Sequence, residues 1–136
     1  MGKVIKNRND YKPLFWLPNE TFLGFSIFKD HTVVKSEIYF KKNEIINSEE
    51  MNLSSHLELN GVNLVTNKFE LVIDDVARNI EIDSLKRINE AIIIPVDSQS
   101  TCVKIITEVK IFPKKNTTLE GLYESKNMLC TQCEPE

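Results

Sequence analysis

The feature that most constrains the fold is an alternation of apolar and polar side chains over residues 102–112. Polar positions such as Lys104, Glu108 and Lys110 lie mostly on one side of this run, and apolar positions lie on the other. A period of two is typical of an extended strand, so the run predicts a β-strand with one buried face. Pro113 ends the strand because its nitrogen cannot donate a hydrogen bond to a neighbouring strand. The predicted buried face consists of Val103, Ile105, Thr107, Val109 and Ile111.

Shorter runs along the chain have the same extended character. Residues 21–28 and 32–40 are rich in β-forming side chains, and the short polar connection between them predicts a hairpin. No helical period of three to four residues is sustained anywhere. We therefore predict an all-β fold, an antiparallel β-sandwich or saddle-like domain. Further strands are predicted at residues 57–59, 68–73, 79–83 and 91–96.

The connections between these runs carry recognisable turn signals. Asn60-Gly61 predicts a tight turn, because both residues tolerate positive φ. Asp74 and Asp75 resemble a carboxylate pair, but adjacent side chains of an extended chain point in opposite directions. We interpret these two aspartates as a turn. One short helical turn is predicted over residues 119–123.

The chain has 136 residues, which fits a single domain, and its content of hydrophobic and charged residues is typical of globular proteins. Residues 1–20 predict an extended lead-in, because Pro13 and Pro18 disfavour a helix. We expect Trp16, which lies between these prolines, to pack in the core. The domain is thus predicted to span residues 1–136.

Charge and hydropathy disfavour several classes of partner. A net charge of −3 with scattered lysines offers no basic surface for a nucleic acid. The longest strongly apolar run, residues 91–96, is far too short to span a membrane. The basic N-terminal residues lead into no apolar segment of a secretory signal. We therefore expect a cytoplasmic protein that binds neither nucleic acid nor membrane.

The cysteines and histidines do not form a recognisable metal motif. The three cysteines are an odd number without an export signal, so reduced thiols are expected. Cys130 and Cys133 form a Cys-x-x-Cys pair, but a structural zinc site needs two further ligands. We interpret these cysteines as packing residues. His31 is predicted to be a solvated turn residue.

The C-terminal segment carries a specific family resemblance. Residues 116–125 read NTTLEGLYES, and residues 130–136 read CTQCEPE. These runs closely resemble a segment of the N-terminal β domain of bacterial aminopeptidase N, a zinc metallo-aminopeptidase. Residues 10–13 and 103–108 are similar to the entry and to a strand of the same domain. The resemblance implies that this β domain continues into further strands beyond Glu136, so the sheet is expected to be incomplete at the C-terminus.

The resemblance implies a role for two residues. In the family, the glutamate of the CTQCE motif binds the free amine of the peptide substrate, and the glutamine lies beside it. The matching residues are Glu134 and Gln132, and alternation along an extended segment would place them on one face. Residues 116–136 are therefore expected to form a loop that recognises the substrate amine. Glu136 matches a second acid of the motif, and we assign it no role.

The catalytic motif of this family is missing from these 136 residues. It requires a His-Glu-x-x-His sequence, and neither His31 nor His56 begins one. The chain alone is therefore expected to be inactive, with no catalytic residue, metal ligand or cofactor of its own, and with zinc bound elsewhere in the parent enzyme. Expected partners are peptide N-termini and the remaining domains of that enzyme.

Three functional hypotheses follow. In the first, the chain is an N-terminal fragment of an aminopeptidase N that contributes recognition of the substrate amine. In the second, it is a stand-alone, non-catalytic β-sandwich binding module or a relic of a truncated peptidase. In the third, it is a structural domain that retains the motif without using it.

Overall fold

A computed structural model describes residues 7–11, 13–46 and 56–133 of the chain. These residues form ten β-strands and three short 3-10 turns, so the predicted all-β class is confirmed. In chain order the strands are β1 (Trp16–Ile27), β2 (Thr32–Lys42), β3 (His56–Asn60), β4 (Val65–Ile73), β5 (Val76–Arg78), β6 (Lys86–Ile88), β7 (Ala91–Pro95), β8 (Cys102–Ile111), β9 (Gly121–Ser125) and β10 (Met128–Gln132). No helical segment in this part of the chain has the length and apolar character needed to cross a bilayer.

The strands are arranged in three sheets, and all the pairings are antiparallel. The largest sheet has five strands in the order β1-β2-β8-β4-β5. A second sheet has the order β3-β7-β6, and a third consists of β9 and β10 alone. The predicted hairpin is confirmed, because β1 pairs with β2 up to Ile27 opposite Thr32. Phe28 closes its turn by donating its backbone N–H to the carbonyl of His31 over 2.9 Å.

The alternating run that predicts a strand is the central strand β8. It pairs with β2 on one side and with β4 on the other. Of its predicted buried face, Val103 and Ile105 are 1% and 0% exposed, whereas Thr107, Val109 and Ile111 are only half-buried. A strand with two neighbours has its backbone groups paired on both edges, which suits the middle of a sheet.

The core contains side chains from both of the larger sheets. Phe40, Leu71 and Val103 of the five-stranded sheet belong to the same buried cluster as Leu57 and Ile94 of the three-stranded sheet. Trp16 is also buried here, as predicted, and meets the ring of Phe15 edge-on at 5.5 Å. Burial of apolar surface between the two sheets is therefore the main stabilising interaction between them.

The predicted Asp74-Asp75 turn is confirmed. Both residues have positive φ, 48° and 63°, and they connect β4 to β5. The Asp74 carboxylate accepts hydrogen bonds from the backbone N–H groups of Thr101 and Cys102 at 2.9 and 3.1 Å. These donors hold the pKa of Asp74 far below its usual range, because they stabilise the charged form. The turn is thereby tied to the start of β8.

Three local predictions are wrong. The tight turn predicted at Asn60-Gly61 does not form with positive φ at these residues: the positive φ of 54° falls on Asn63, in the connection between β3 and β4 of different sheets. The strand predicted at residues 79–83 is replaced by a 3-10 turn over Ile82–Ser84, where the Ser84 hydroxyl donates to the Glu81 carbonyl at 2.7 Å.

The third is the helical turn predicted over residues 119–123. Leu119 and Gly121 have φ of 61° and 69°, and a right-handed helix cannot contain such residues. Strand β9 begins there instead.

Candidate functional site

The segment with the family resemblance folds mainly as the β9–β10 hairpin. The two strands pair from Ser125 opposite Met128 to Gly121 opposite Gln132. The two-residue turn between them has positive φ at both positions, 47° at Lys126 and 66° at Asn127. Such a turn matches the natural twist of paired strands. Sequence reasoning predicted a loop over residues 116–136 and missed this hairpin, because Lys-Asn is a weaker turn signal than Asn-Gly.

Asn116 organises the approach to the hairpin. Its side-chain N–H groups donate to the carbonyls of Glu120 at 2.6 Å and Leu122 at 3.0 Å. Its side-chain oxygen accepts from the backbone N–H of Thr118 at 3.1 Å and from the Thr118 hydroxyl at 2.8 Å. The Asn116 side chain thus supplies hydrogen-bond partners to both backbone carbonyls and a backbone N–H group of this tight loop. Sequence reasoning did not identify Asn116 as a structural residue. The available signal was its position two residues before Thr118, since an Asn side chain often accepts a hydrogen bond from the backbone two residues later.

Of the two residues predicted to bind the substrate amine, Gln132 lies among the described residues and Glu134 does not. Gln132 is the last residue of β10, lies opposite Gly121 and is exposed. Glu134 lies outside the described residues, so the structure does not place its carboxylate. The predicted alignment of the two side chains on one face therefore stays a prediction.

The three cysteines of the chain are not equally buried. Cys102, Cys130 and Cys133 are all free thiols. Cys102 and Cys130 are half-buried, which agrees with a packing role, but Cys133 is exposed. The packing interpretation is therefore wrong for Cys133, because it follows the end of β10 and its side chain meets solvent.

A cavity of about 330 Å³ lies between the β1–β2 turn and the β9–β10 hairpin. His31 lies in its wall, where its ring stacks on Phe28 at 4.7 Å and its Nδ1 is 2.8 Å from Asp30 Oδ1. This hydrogen bond from His31 lowers the pKa of Asp30. His31 is therefore more packed than a solvated turn residue. Its side chain is only 23% exposed.

The lining of this cavity also includes an ion pair. Lys114 Nζ lies 3.9 Å from Glu124 Oε2, which connects the 3-10 turn at Pro113–Lys115 to β9. Positively and negatively charged side chains thus line the cavity, together with the apolar side chain of Leu129.

A larger depression of about 690 Å³ lies on the face of the five-stranded sheet that points away from the buried cluster. Its lining includes Phe22, Tyr39 and Ile106 but no residue of the C-terminal segment. Ion pairs on this face join Lys35 to Glu108 at 3.5 Å and Lys104 to Glu37 at 3.6 Å. A hydrogen bond with Tyr39, supported by Glu37, raises the pKa of Lys104. Despite its volume, we interpret this depression as a solvated sheet face.

The described residues do not fit a zinc ion. Within residues 7–11, 13–46 and 56–133, no three His, Cys, Asp or Glu side chains come together in a group that could hold a metal. His56 has Glu58 as its partner at 3.0 Å. A structural zinc site needs four ligands and a catalytic one needs three. No zinc-dependent step is therefore assigned to this part of the chain.

Among the similarities that comparison with known proteins gives, two are to aminopeptidases. The chain is 59% identical over 34 residues to aminopeptidase N of Escherichia coli K12, an alignment that covers 25% of this chain and 4% of that protein. The fold is similar to that of aminopeptidase A of Legionella pneumophila, solved in complex with aspartic acid, with a TM-score of 0.73 and 24% sequence identity. No protein-family model matches the chain.

The two similarities differ in extent. The structural similarity covers 96% of this chain but only 14% of the Legionella chain. At 24% identity it establishes the fold that the two chains share. The match to aminopeptidase N is closer but short. The chain thus has the all-β fold of one segment of an aminopeptidase and a short stretch of close sequence similarity to another.

Proposed function

We propose that this chain is the N-terminal β-domain segment of a cytoplasmic zinc aminopeptidase related to aminopeptidase N, and that it contributes recognition of the free amine of the peptide substrate. The observation that carries the proposal is the 59% identity to aminopeptidase N over 34 residues. The shared fold over 96% of the chain supports it. The peptide N-terminus and the remaining domains of the longer enzyme are the proposed partners.

Glu134 is the proposed anchor of the amine. An exopeptidase that removes one N-terminal residue must recognise an α-ammonium group, and a carboxylate does so through a charged hydrogen bond. Gln132 is proposed to lie beside the amine as a neutral donor and acceptor. A fixed amine would also position the scissile bond relative to the catalytic groups. Those groups, with the zinc ion that supplies the hydrolytic chemistry, are proposed to belong to other domains of the enzyme.

The first experiment measures the size of the native protein. An antibody raised against this chain is used to probe an immunoblot of source cells. The proposal expects a band much larger than 15.7 kDa, the mass of this chain. A single band at 15.7 kDa would contradict it, and would favour a stand-alone binding module or a relic of a truncated peptidase.

The second experiment tests Glu134 in that longer enzyme. Glu134→Gln is expected to lower kcat/KM for an aminoacyl p-nitroanilide by about 10- to 200-fold, because a charged hydrogen bond contributes roughly 1.5–3 kcal/mol. Glu136→Gln is the matched control, since it removes the same charge two residues away. Equal activity of the Glu134→Gln enzyme and the control would remove Glu134 from the proposal without affecting the proposed enzyme class.

A further inference from the structure

Asn116 lies where the chain leaves the main sheet and enters the segment with the family resemblance. Strand β8 ends at Ile111, and the 3-10 turn over Pro113–Lys115 leads directly to Asn116. The backbone N–H of Asn116 donates to the Pro113 carbonyl at 3.2 Å, and its side chain is half-buried. Because β8 is paired on both edges, Asn116 follows the best-supported strand of the sheet.

The side chain of Asn116 holds the peptide groups on both sides of Gly121. Its Nδ2 group donates to the carbonyls of Glu120 at 2.6 Å and Leu122 at 3.0 Å. A side-chain amide has two N–H groups, so these two bonds use its full donor capacity. Gly121 has a φ of 69°, a left-handed conformation that glycine adopts without steric cost. The side chain of Asn116 therefore stabilises one backbone conformation at the point where β9 begins.

Gly121 is the residue opposite Gln132 in the β9–β10 hairpin. In the described part of the chain this pair is the one farthest from the turn at Lys126 and Asn127. The open end of a hairpin is where pairing is weakest, because strand ends fray at little cost in free energy. Asn116 therefore stabilises the pair that the hairpin turn itself supports least.

The link from Gly121 to Gln132 passes through the backbone. Residues that are paired across two strands normally contact each other through side chains on one face of the sheet. Gly121 has no side chain, and a Cβ placed on it would have no heavy atom within 4 Å. Gly121 therefore influences the position of Gln132 only through the peptide groups that Asn116 holds.

We propose that Asn116 is a positioning residue for recognition of the substrate amine. It acts through Gly121 on Gln132, and through the end of β10 on Glu134, two residues further along the sequence. The inference rests on the proposed function of these two residues. A group that holds the substrate is effective only at the correct distance from the scissile bond, and a displacement of about 1 Å can cost about 100-fold in rate. Asn116 therefore supports amine recognition without touching the substrate.

A double-mutant cycle in the longer enzyme tests this role. Asn116→Asp keeps an oxygen that accepts from Thr118 but has no N–H group for the two carbonyls. It is expected to lower kcat/KM for L-alanyl p-nitroanilide, whose small side chain fits a pocket of any size, by about 10-fold. In the Glu134→Gln enzyme the same change is expected to lower kcat/KM by less than about threefold, because the anchor that Asn116 positions is already lost.

A purely structural role of Asn116 would give a different pattern. A lower folded fraction would reduce kcat/KM by the same factor in the wild-type and Glu134→Gln backgrounds, and equal factors would overturn the inference. Asn116→Ser is the second variant, because a single short hydroxyl cannot donate to both carbonyls and adds no charge. Wild-type kcat/KM in this variant would attribute the effect of Asn116→Asp to its charge and would also overturn the inference. Asn63→Asp, at an exposed residue between β3 and β4, is the matched control and should leave kcat/KM unchanged.

The same cycle separates this inference from the proposed function. If Glu134→Gln lowers kcat/KM while Asn116→Asp leaves it unchanged, the inference fails and the proposed role of Glu134 stands. If Glu134→Gln itself leaves kcat/KM unchanged, the role of Glu134 fails and the inference fails with it. Each factor is a ratio of two enzymes measured in one background, so strong coupling between the two changes supports the inference even where Asn116→Asp lowers the yield of folded enzyme.

Discussion

At the scale of single residues, Asp74 shows how a turn residue gains a structural role. Its φ of 48° lies in the left-handed region, which Asp and Asn tolerate better than most residues. Its carboxylate accepts from the backbone N–H groups of Thr101 and Cys102 and also from the Thr101 hydroxyl at 2.9 Å. The turn between β4 and β5 is therefore fastened to the residues that begin β8.

Replacement of Asp74 by Asn should lower the melting temperature and weaken its acid dependence. The pKa of Asp74 in the folded chain lies below the ordinary value of 3.8. The charged carboxylate therefore stabilises the fold fully above that value, and this contribution is lost as the pH falls below it towards the folded pKa. Asn keeps the left-handed backbone but cannot carry the charge.

Thermal unfolding followed by circular dichroism between neutral and acidic pH measures this effect. Asp75→Asn is the matched control, because Asp75 also has positive φ, 63°, and its carboxylate accepts none of these hydrogen bonds. Equal losses of melting temperature in the two variants at neutral pH would contradict the role assigned to Asp74.

At the scale of elements, the β9–β10 hairpin depends on the loop that precedes it. The two strands pair only with each other, and their sheet is separate from the other two. A two-stranded hairpin is only marginally stable by itself. The four hydrogen bonds of Asn116 and the Lys114–Glu124 ion pair connect it to the end of β8. Gln132 lies opposite Gly121, so its position depends on the hydrogen bonds that Asn116 makes to the carbonyls on either side of Gly121.

Asn116→Asp should destabilise this hairpin selectively. Aspartate can still accept from Thr118, but it has no N–H group to donate to the carbonyls of Glu120 and Leu122. We expect a loss of about 1–3 kcal/mol, since the two carbonyls lose their donors. Hydrogen exchange of the backbone amides in β9 and β10 should become faster. Thr117→Ala, an exposed neighbour, is the control, and equal exchange rates in both variants would argue against the role of Asn116.

At the scale of the whole molecule, the buried cluster makes the two larger sheets depend on each other. Ile105 on β8 and Ile94 on β7 are both completely buried, and they come from different sheets. No strand of the five-stranded sheet pairs with a strand of the three-stranded sheet in the described part of the chain. Apolar packing rather than backbone pairing therefore holds the two sheets together, and the cluster should control global unfolding.

Ile105→Ala should lower the free energy of unfolding by about 2–5 kcal/mol, because it removes buried methyl groups and leaves a cavity. Ile106→Ala is the matched control, since Ile106 is the next residue of β8, lies on the opposite face and is only half-buried. Urea unfolding measures both variants. Similar losses in the two variants would show that the core does not lie on the predicted face of β8.

The candidate site was predicted in part. Sequence reasoning singled out Gln132 by its resemblance to a family motif, and the structure places it exposed at the end of β10. The role of Glu134 stays a prediction. Asn116 and the cavity beside His31 were missed, because hydrogen bonds across a loop and contacts between distant turns leave no periodic pattern in the sequence.

The sequence by itself determined the all-β class, the β1–β2 hairpin, the central strand β8 with its buried face and the turn at Asp74-Asp75. Each of these depends on the alternation of neighbouring side chains or on local turn chemistry, which is visible within a few residues. Only the tertiary structure decided that β3 pairs with β7, that residues 121–132 form a hairpin and that Leu119 has positive φ. Pairing between distant strands and hydrogen bonds across loops depend on contacts that are not local, so no short window of the sequence contains them.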